Sequence, residues 1–229
     1  MDRRASAPPS ATHPARRDRQ LTWLFDLDNT LHNASAHVFP HINRAMTAYI
    51  VEHLALDHAG ASRLRQHYWQ RYGATLLGLI RHHAIDPAHF LTLTHQFDDL
   101  GSLLVTERGL RDTLRRLPGR KIVFSNGPAT YAEAVLRLSG LYDCFDAVYA
   151  IEQMRFIPKP APAAFYRVLH AERLDPRRCI MVEDSAANLA TAKRLGMKTV
   201  WVSTSLRRPP HVDVRVRSVL DLPHRCWPL

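Results

Sequence analysis

Two aspartates one residue apart, in Trp23-Leu24-Phe25-Asp26-Leu27-Asp28-Asn29-Thr30, are the residues of this chain best placed to do chemistry. They follow a short apolar run, Leu21 to Phe25, that reads as a buried strand, so both fall where a strand ends and its loop begins. Residues i and i+2 share a side of a strand, which lets the two carboxylates converge on one small volume. There they repel unless a cation or a proton intervenes, and one is then suited to be a nucleophile and the other an acid/base. A strand-terminal Asp-x-Asp-x-Thr also serves as a plain loop start that caps a following helix.

Three further groups bear on that choice. Phe124-Ser125-Asn126-Gly127 ends another apolar run with a hydroxyl, an amide and a glycine, a loop able to offer Ser125 and backbone N–H groups to a phosphate oxygen, or simply to turn the chain. Lys159 stands between Pro158 and Pro160, which restrict the backbone around an ammonium suited to fixed charge neutralisation. Val182-Glu183-Asp184-Ser185 places two acids at the end of an apolar strand, with Asn188 on the helix that follows. Such acids near Asp26 suit Mg²⁺, a cation that prefers oxygen ligands in an octahedral array. Asp184 or Ser185 is equally suited to capping that helix.

The elements that must position these residues are legible from periodicity. From residue 34 to 104 the pattern is helical, with Ile42, Met46, Tyr49, Ile50 and Leu54 on one stripe and Leu76, Leu77, Leu79 and Ile80 on another. Pro87 after Asp86 marks a helix start. Beyond this stretch, strands at 122–125, 147–150, 180–183 and 199–202 alternate with helices near 108–117, 129–139, 160–172 and 186–195. That alternation implies right-handed crossovers and a parallel sheet with helices on both faces. With the first strand the sheet has five strands, and a helical segment is inserted after strand one. Residues 21–33 and 105–229 form the α/β core and 34–104 a separate all-α unit. Residues 1–20, rich in Ala, Pro, Ser and Arg, read as a disordered basic tail, and 206–229 as an irregular surface segment.

Composition narrows the classes. The 229 residues are 46% hydrophobic, ample for a core, and hold neither an apolar run of about 18 residues nor an apolar leader, so no membrane partner and a cytoplasmic location are expected. Cys144, Cys179 and Cys226 are far apart and read as ordinary thiols. The net charge of +10 invites a nucleic-acid partner, but much of the excess lies at the two ends and no aromatic-interleaved basic stripe accompanies it. Nucleic acid is therefore disfavoured.

As a set, in this order, the four groups resemble the haloacid dehalogenase superfamily of phosphotransferases, over residues 21 to about 203. The resemblance implies a Rossmann-like core with a helical cap. It also implies that Asp26 is the nucleophile that becomes an aspartyl phosphate and that Asp28 is the general acid/base. Ser125 and Lys159 would hold the phosphoryl group. Asp184, with Glu183 beside it, would complete a Mg²⁺ site with Asp26 and the Asp28 backbone carbonyl. Superfamily dehalogenases lack a carboxylate two residues after the nucleophile, because a halide leaves without a proton, so Asp28 favours a phosphatase.

Within the superfamily, Asp-Leu-Asp-Asn-Thr-Leu, Ser-Asn-Gly, Glu-Asp-Ser-x-x-Asn and the stretch Tyr72-Gly73-Ala74-Thr75-Leu76-Leu77-Gly78-Leu79 are similar to the pyrimidine 5'-nucleotidase branch. Asn29 matches that branch, whereas His32 stands where it usually has Tyr. The resemblance implies a small-molecule phosphomonoester substrate, UMP or CMP, with Asn29, Thr30 and Asn126 among the substrate-binding residues, Tyr72 stacking on or bordering the base and Thr75 reaching a ribose or base oxygen. A sugar-phosphate or phosphoglycolate phosphatase, a phosphomutase on the same core, and a non-enzymatic nucleic-acid-binding protein are the alternatives.

Overall fold

The computed structural model describes residues 21 to 225, so the expectations for 1–20 and Cys226 lie outside the described residues. Strands β1 (Thr22–Phe25), β2 (Arg120–Phe124), β3 (Ala147–Tyr149), β4 (Cys179–Glu183), β5 (Lys198–Val202) and β6 (Val214–Val216) form one parallel sheet in the order β3-β2-β1-β4-β5-β6. Alternation along the strands divides their side chains between two cores. Trp23, Phe25, Val123, Ile180 and Val182 pack with Leu114 of α6 (Leu110–Arg116) and with Val135 and Leu136 of α7 (Ala129–Leu138). On the other face Leu24, Ile122, Phe124 and Met181 meet Phe165 and Val168 of α8 (Pro162–Ala171) and Leu189 of α9 (Ala186–Arg194). Burial on both faces is why these strands read as unbroken apolar runs rather than as alternating ones.

The sheet has six strands, not five. Val200 registers with Val214 and Val202 with Val216, in a segment expected to be irregular. Three residues between Asp213 and Arg217 carry too little pattern to announce a strand. What secures the segment is burial of Val216, Val219 and Leu222, together with a capping box in which Ser218 and Asp221 satisfy each other's backbone. A short helix, α10 (Leu222–Arg225), follows.

Between β1 and β2 run α1 (Val38–Leu54), α2 (His58–Tyr72), α3 (Thr75–His83), α4 (Pro87–Thr94) and a single turn, α5 (Leu100–Leu103). Their caps are local. Asp57 accepts the Gly60 N–H at 2.8 Å, and Asp86, directly before Pro87, accepts that of Ala88 at 3.0 Å. Ile42, Tyr49 and Ile50 of the expected stripe are buried, with Met46 and Leu54 packed beside them. Among the described residues no helix is long and apolar enough to cross a membrane.

The two glycines that interrupt the helical pattern have different physical reasons. Gly73 takes φ 79° directly after α2 and returns its N–H to the Trp69 carbonyl, the left-handed stop that a residue with no Cβ accepts most readily. Gly78 lies inside α3 against the face of Tyr68, and a Cβ there would enter the ring. Gly78→Ala is therefore expected to lower stability by about 1–3 kcal/mol through overpacking, although alanine is the better helix former. An unchanged or raised urea midpoint would contradict that contact.

Candidate active site

The chain runs from β1 outward through β2 and β3, then returns to the opposite side of β1 as β4. The reversal opens a crevice at the carboxyl ends of β1 and β4. Phe25 registers with Val123 and Val182, so the residues just past β1, β2 and β4 come together: Asp26, Ser125, and the Glu183-Asp184 pair. The Asp26 N–H still donates to the Val182 carbonyl at 2.9 Å, fixing its carboxylate at the sheet edge.

Lys159 enters from the loop before α8. Its ammonium is 1% exposed and donates to Asp26 Oδ1 at 2.7 Å, Glu183 Oε2 at 2.8 Å and the Phe124 carbonyl at 2.6 Å. Burial alone would lower its pKa, but the two carboxylates more than offset this and hold it above the ordinary lysine range. Asn126 pins the loop from both sides, donating to the Lys159 carbonyl at 3.0 Å and accepting the Lys159 N–H at 2.8 Å.

One ammonium does not balance the acids around it. Burial, then Glu183, holds Asp26 well above the usual carboxylate range. Burial with Glu183 beside it pushes Asp184 up to about 7, whereas Lys159 and the hydrogen bonds of Asp184 and Asn188 keep Glu183 below its ordinary value despite its own burial. Oxygens of Asp26, Glu183 and Asp184 lie within 4.8 Å of one another. An all-oxygen set with surplus negative charge and raised pKa values fits a hard divalent cation.

Asp28 is held separately. Tyr131 donates its hydroxyl to Asp28 Oδ1 at 2.5 Å, and His32 Nε2 lies 3.0 Å from the same oxygen. Asp26, Asp28, Lys159 and Asp184 all line one cavity of about 1140 Å³ between the sheet edge and the inserted helices.

A haloacid dehalogenase-like hydrolase model matches residues 22–196. The chain belongs to that family. It is 27% identical over 198 residues to phosphate metabolism protein 8 of Saccharomyces cerevisiae, covering 80% of this chain and 60% of that protein. It is 36% identical over 90 residues to glyceraldehyde 3-phosphate phosphatase of Pyrococcus abyssi, covering 38% and 37%. The alignments thus span less than two thirds of these curated relatives. Among solved structures, CbbY from Rhodobacter sphaeroides in complex with phosphate superposes with TM-score 0.63 at 20% identity, over 89% of this chain and 96% of that one, a likeness of fold.

In this hydrolase fold the core motif residues Asp26, Asp28, Lys159, Glu183 and Asp184 converge on the cavity, which Asn29, Thr75 and Asn126 also line, while Thr30, Tyr72 and Ser125 are not on its wall. Tyr72 is not on the cavity wall, and its hydroxyl meets His82 Nε2 at 2.6 Å. Thr75 lines the cavity, but its hydroxyl donates to the Arg65 carbonyl at 3.0 Å. Ser125 is wholly buried and accepts the Gly127 N–H at 2.9 Å. The Asn126 amide is taken by the Lys159 backbone. Asn29, at φ 59°, accepts the Ser35 N–H at 2.9 Å and also bonds Asp184, and Thr30 is buried, its hydroxyl without a partner among the described residues.

Sequence reasoning missed Tyr131, which reaches Asp28 across 103 residues, and the α2 residues Arg65 and Trp69 on the cavity wall. The spacing of Arg65 and Trp69, one turn apart on a largely polar helix, was the available signal for the latter pair.

Lys159→Met leaves Asp26 and Glu183 buried together with no counter-charge. The expected cost is about 3–5 kcal/mol in the absence of divalent cations. Because protonating Asp26 relieves the repulsion, the deficit relative to wild type should shrink between pH 7.5 and pH 5. Denaturant melts of both proteins showing the same deficit at both pH values would contradict the pairing.

Proposed function

We propose that this chain is a Mg²⁺-dependent phosphomonoesterase working through an aspartyl phosphate on Asp26, with pyrimidine nucleoside 5'-monophosphates, UMP and CMP, as its substrates. The observation that carries the reading is Asp28, a carboxylate on the same cavity as Asp26 and gripped by a tyrosine and a histidine. The fold is shared with an L-2-haloacid dehalogenase from Xanthobacter autotrophicus, at TM-score 0.57, so the fold does not choose the reaction. The leaving group does. An alkoxide expelled from phosphorus needs a proton, a halide does not, and a poised second carboxylate is of use only in the first case. The likeness to the yeast phosphate metabolism protein 8 and to the archaeal glyceraldehyde 3-phosphate phosphatase supports that choice.

In the first half-reaction an Asp26 carboxylate oxygen attacks phosphorus, the bond from phosphorus to the ester oxygen breaks, and Asp28 gives its proton to that oxygen. In the second, Asp28 takes a proton from water, the water oxygen attacks phosphorus, and the Asp26 carboxylate leaves as inorganic phosphate forms. Lys159 holds Asp26 in line and offsets phosphoryl charge. Tyr131 and His32 fix the Asp28 carboxylate. Asp26, Asp184, Glu183 and the Asp28 backbone would hold Mg²⁺, which supplies the positive charge that keeps Asp26 ionised and neutralises the phosphoryl oxygens. The inserted helices act as a cap that excludes water from the crevice.

A second reading is favoured by one finding, the named activity of the archaeal relative on a triose phosphate: the leaving group is then a small sugar. Phosphate release measured with Mg²⁺ across UMP, CMP, AMP, GMP, phosphoglycolate and sugar phosphates, with Asp26→Asn as the blank, separates the two. Selectivity for UMP and CMP supports the first reading and selectivity for a sugar phosphate the second. An isomeric phosphate formed without release would mean a mutase, and an active Asp26→Asn would remove the mechanism.

Two further outcomes are expected. Tyr131→Phe removes a hydrogen bond to a charged group, worth roughly 1.5–3 kcal/mol, and should lower kcat about 10- to 100-fold with little change in KM; a rise in KM at constant kcat would contradict this placement. Because Asp184 must lose a proton near pH 7 to ligate a cation, Mg²⁺ binding should tighten as pH rises toward about 7, by about tenfold per unit, and level off above it. Titration calorimetry giving one affinity from pH 5.5 to 7.5 would count against Asp184 as a ligand.

A further inference from the structure

One face of α2 turns a run of polar and aromatic side chains into the cavity: Arg65, Gln66, Trp69 and Gln70, two pairs one helical turn apart. Two of these are unlike ordinary cap surface. Trp69 is 61% exposed although it borders a cavity, and among the described residues its indole has no aromatic neighbour. Arg65 is half-buried. Its Nε donates to Thr47 Oγ1 at 3.2 Å and its Nη1 to Asn43 Oδ1 at 2.7 Å, both neutral acceptors. Among the described residues it joins no ion pair with a carboxylate, and burial draws its pKa down with no acid to offset it.

A guanidinium held rigid by two neutral side chains has its orientation fixed while its remaining N–H groups stay uncommitted. The other cation of this cavity, Lys159, is consumed by Asp26 and Glu183. Arg65 is therefore the positive charge available to a leaving group once the phosphate sits at the acids. An exposed indole one turn away adds a flat apolar platform.

We propose that Arg65 and Trp69 form a clamp for a planar heteroaromatic leaving group, Trp69 stacking on its face and Arg65 donating to a two-acceptor edge such as O2 and N3 of cytosine. The clamp rests on the nucleotide reading above and deepens it by assigning the base contact to residues of α2 rather than to Tyr72. Fork geometry matches adjacent acceptors on one ring edge, the pairing by which arginine reads bases elsewhere. Base–aromatic stacking tolerates more than one base, so Trp69 sets affinity for flat leaving groups and Arg65 sets which edge is preferred. CMP, with two acceptors side by side, should be a better substrate than UMP, whose N3 carries a proton.

The test compares kcat/KM for CMP, UMP and a non-aromatic ester, glycerol 3-phosphate, in wild type, Arg65→Met, Arg65→Lys, Trp69→Ala and Trp69→Phe, each shown by circular dichroism and melting temperature to be folded. The clamp predicts that Trp69→Ala and Arg65→Met lower the CMP-to-glycerol-phosphate ratio by about tenfold or more, through KM rather than kcat. Trp69→Phe should restore most of the ratio, and Arg65→Lys little of it, because a point charge lacks the fork. A wild type that prefers nucleotides but whose variants slow every ester by the same factor would overturn the clamp and leave the nucleotide reading standing. A wild type that prefers the non-aromatic ester would overturn the nucleotide reading, and the clamp with it.

Discussion

The Lys159 ammonium lies between two buried carboxylates, Asp26 and Glu183, at the point where three strands end, and the rest of the site is arranged around that pairing. Without it the crevice would bury several like charges in a medium that screens them poorly, a cost that no nearby packing could repay. With it, part of that charge is compensated and the rest is not. Asp26 and Asp184 remain above their ordinary range, which is the electrostatic signature of a site awaiting further positive charge. Positioning of Lys159 is in turn a backbone matter, since the Asn126 side chain bonds the Lys159 main chain in both directions.

The sheet provides this arrangement because β1 lies at its centre, with β2 on one side and β4 on the other. The first acids, the Ser125 loop and the last acids must then share one edge, whatever the loops do. In the proposed reaction the chemistry falls to the rigid strand ends and discrimination to the inserted helices beside them. The second carboxylate is treated differently from the first. Among the described residues Asp28 has no ammonium partner; instead its Oδ1 accepts the Tyr131 hydroxyl and lies 3.0 Å from His32 Nε2, which fixes its direction.

Most of the core was legible in the sequence because parallel strands buried on both faces read as apolar runs, and Asp26, Ser125 and Glu183-Asp184 each follow such a run. β6 was not legible, since Val214-Arg215-Val216 is too short to show a period and owes its place to pairing with β5. Tyr131 was hidden for a different reason: its partner is 103 residues away and only the packing of α7 brings them together. Tyr72 and Trp69 lie one turn apart near the end of α2, and the sequence does not say which of the two borders the cavity: the Tyr72 hydroxyl pairs with His82, while Trp69 lines the wall. His32, visible as a departure from the nucleotidase pattern, proved to touch Asp28 directly.

The central claim is that Asp26 is covalently phosphorylated during turnover. Quenching the enzyme at steady state, reducing any acyl phosphate with borohydride and mapping peptides by mass spectrometry tests it most directly. The account predicts homoserine in place of aspartate at residue 26 and nowhere else, dependent on substrate. Substrate-dependent conversion at a different carboxylate, with residue 26 left as aspartate, would contradict it.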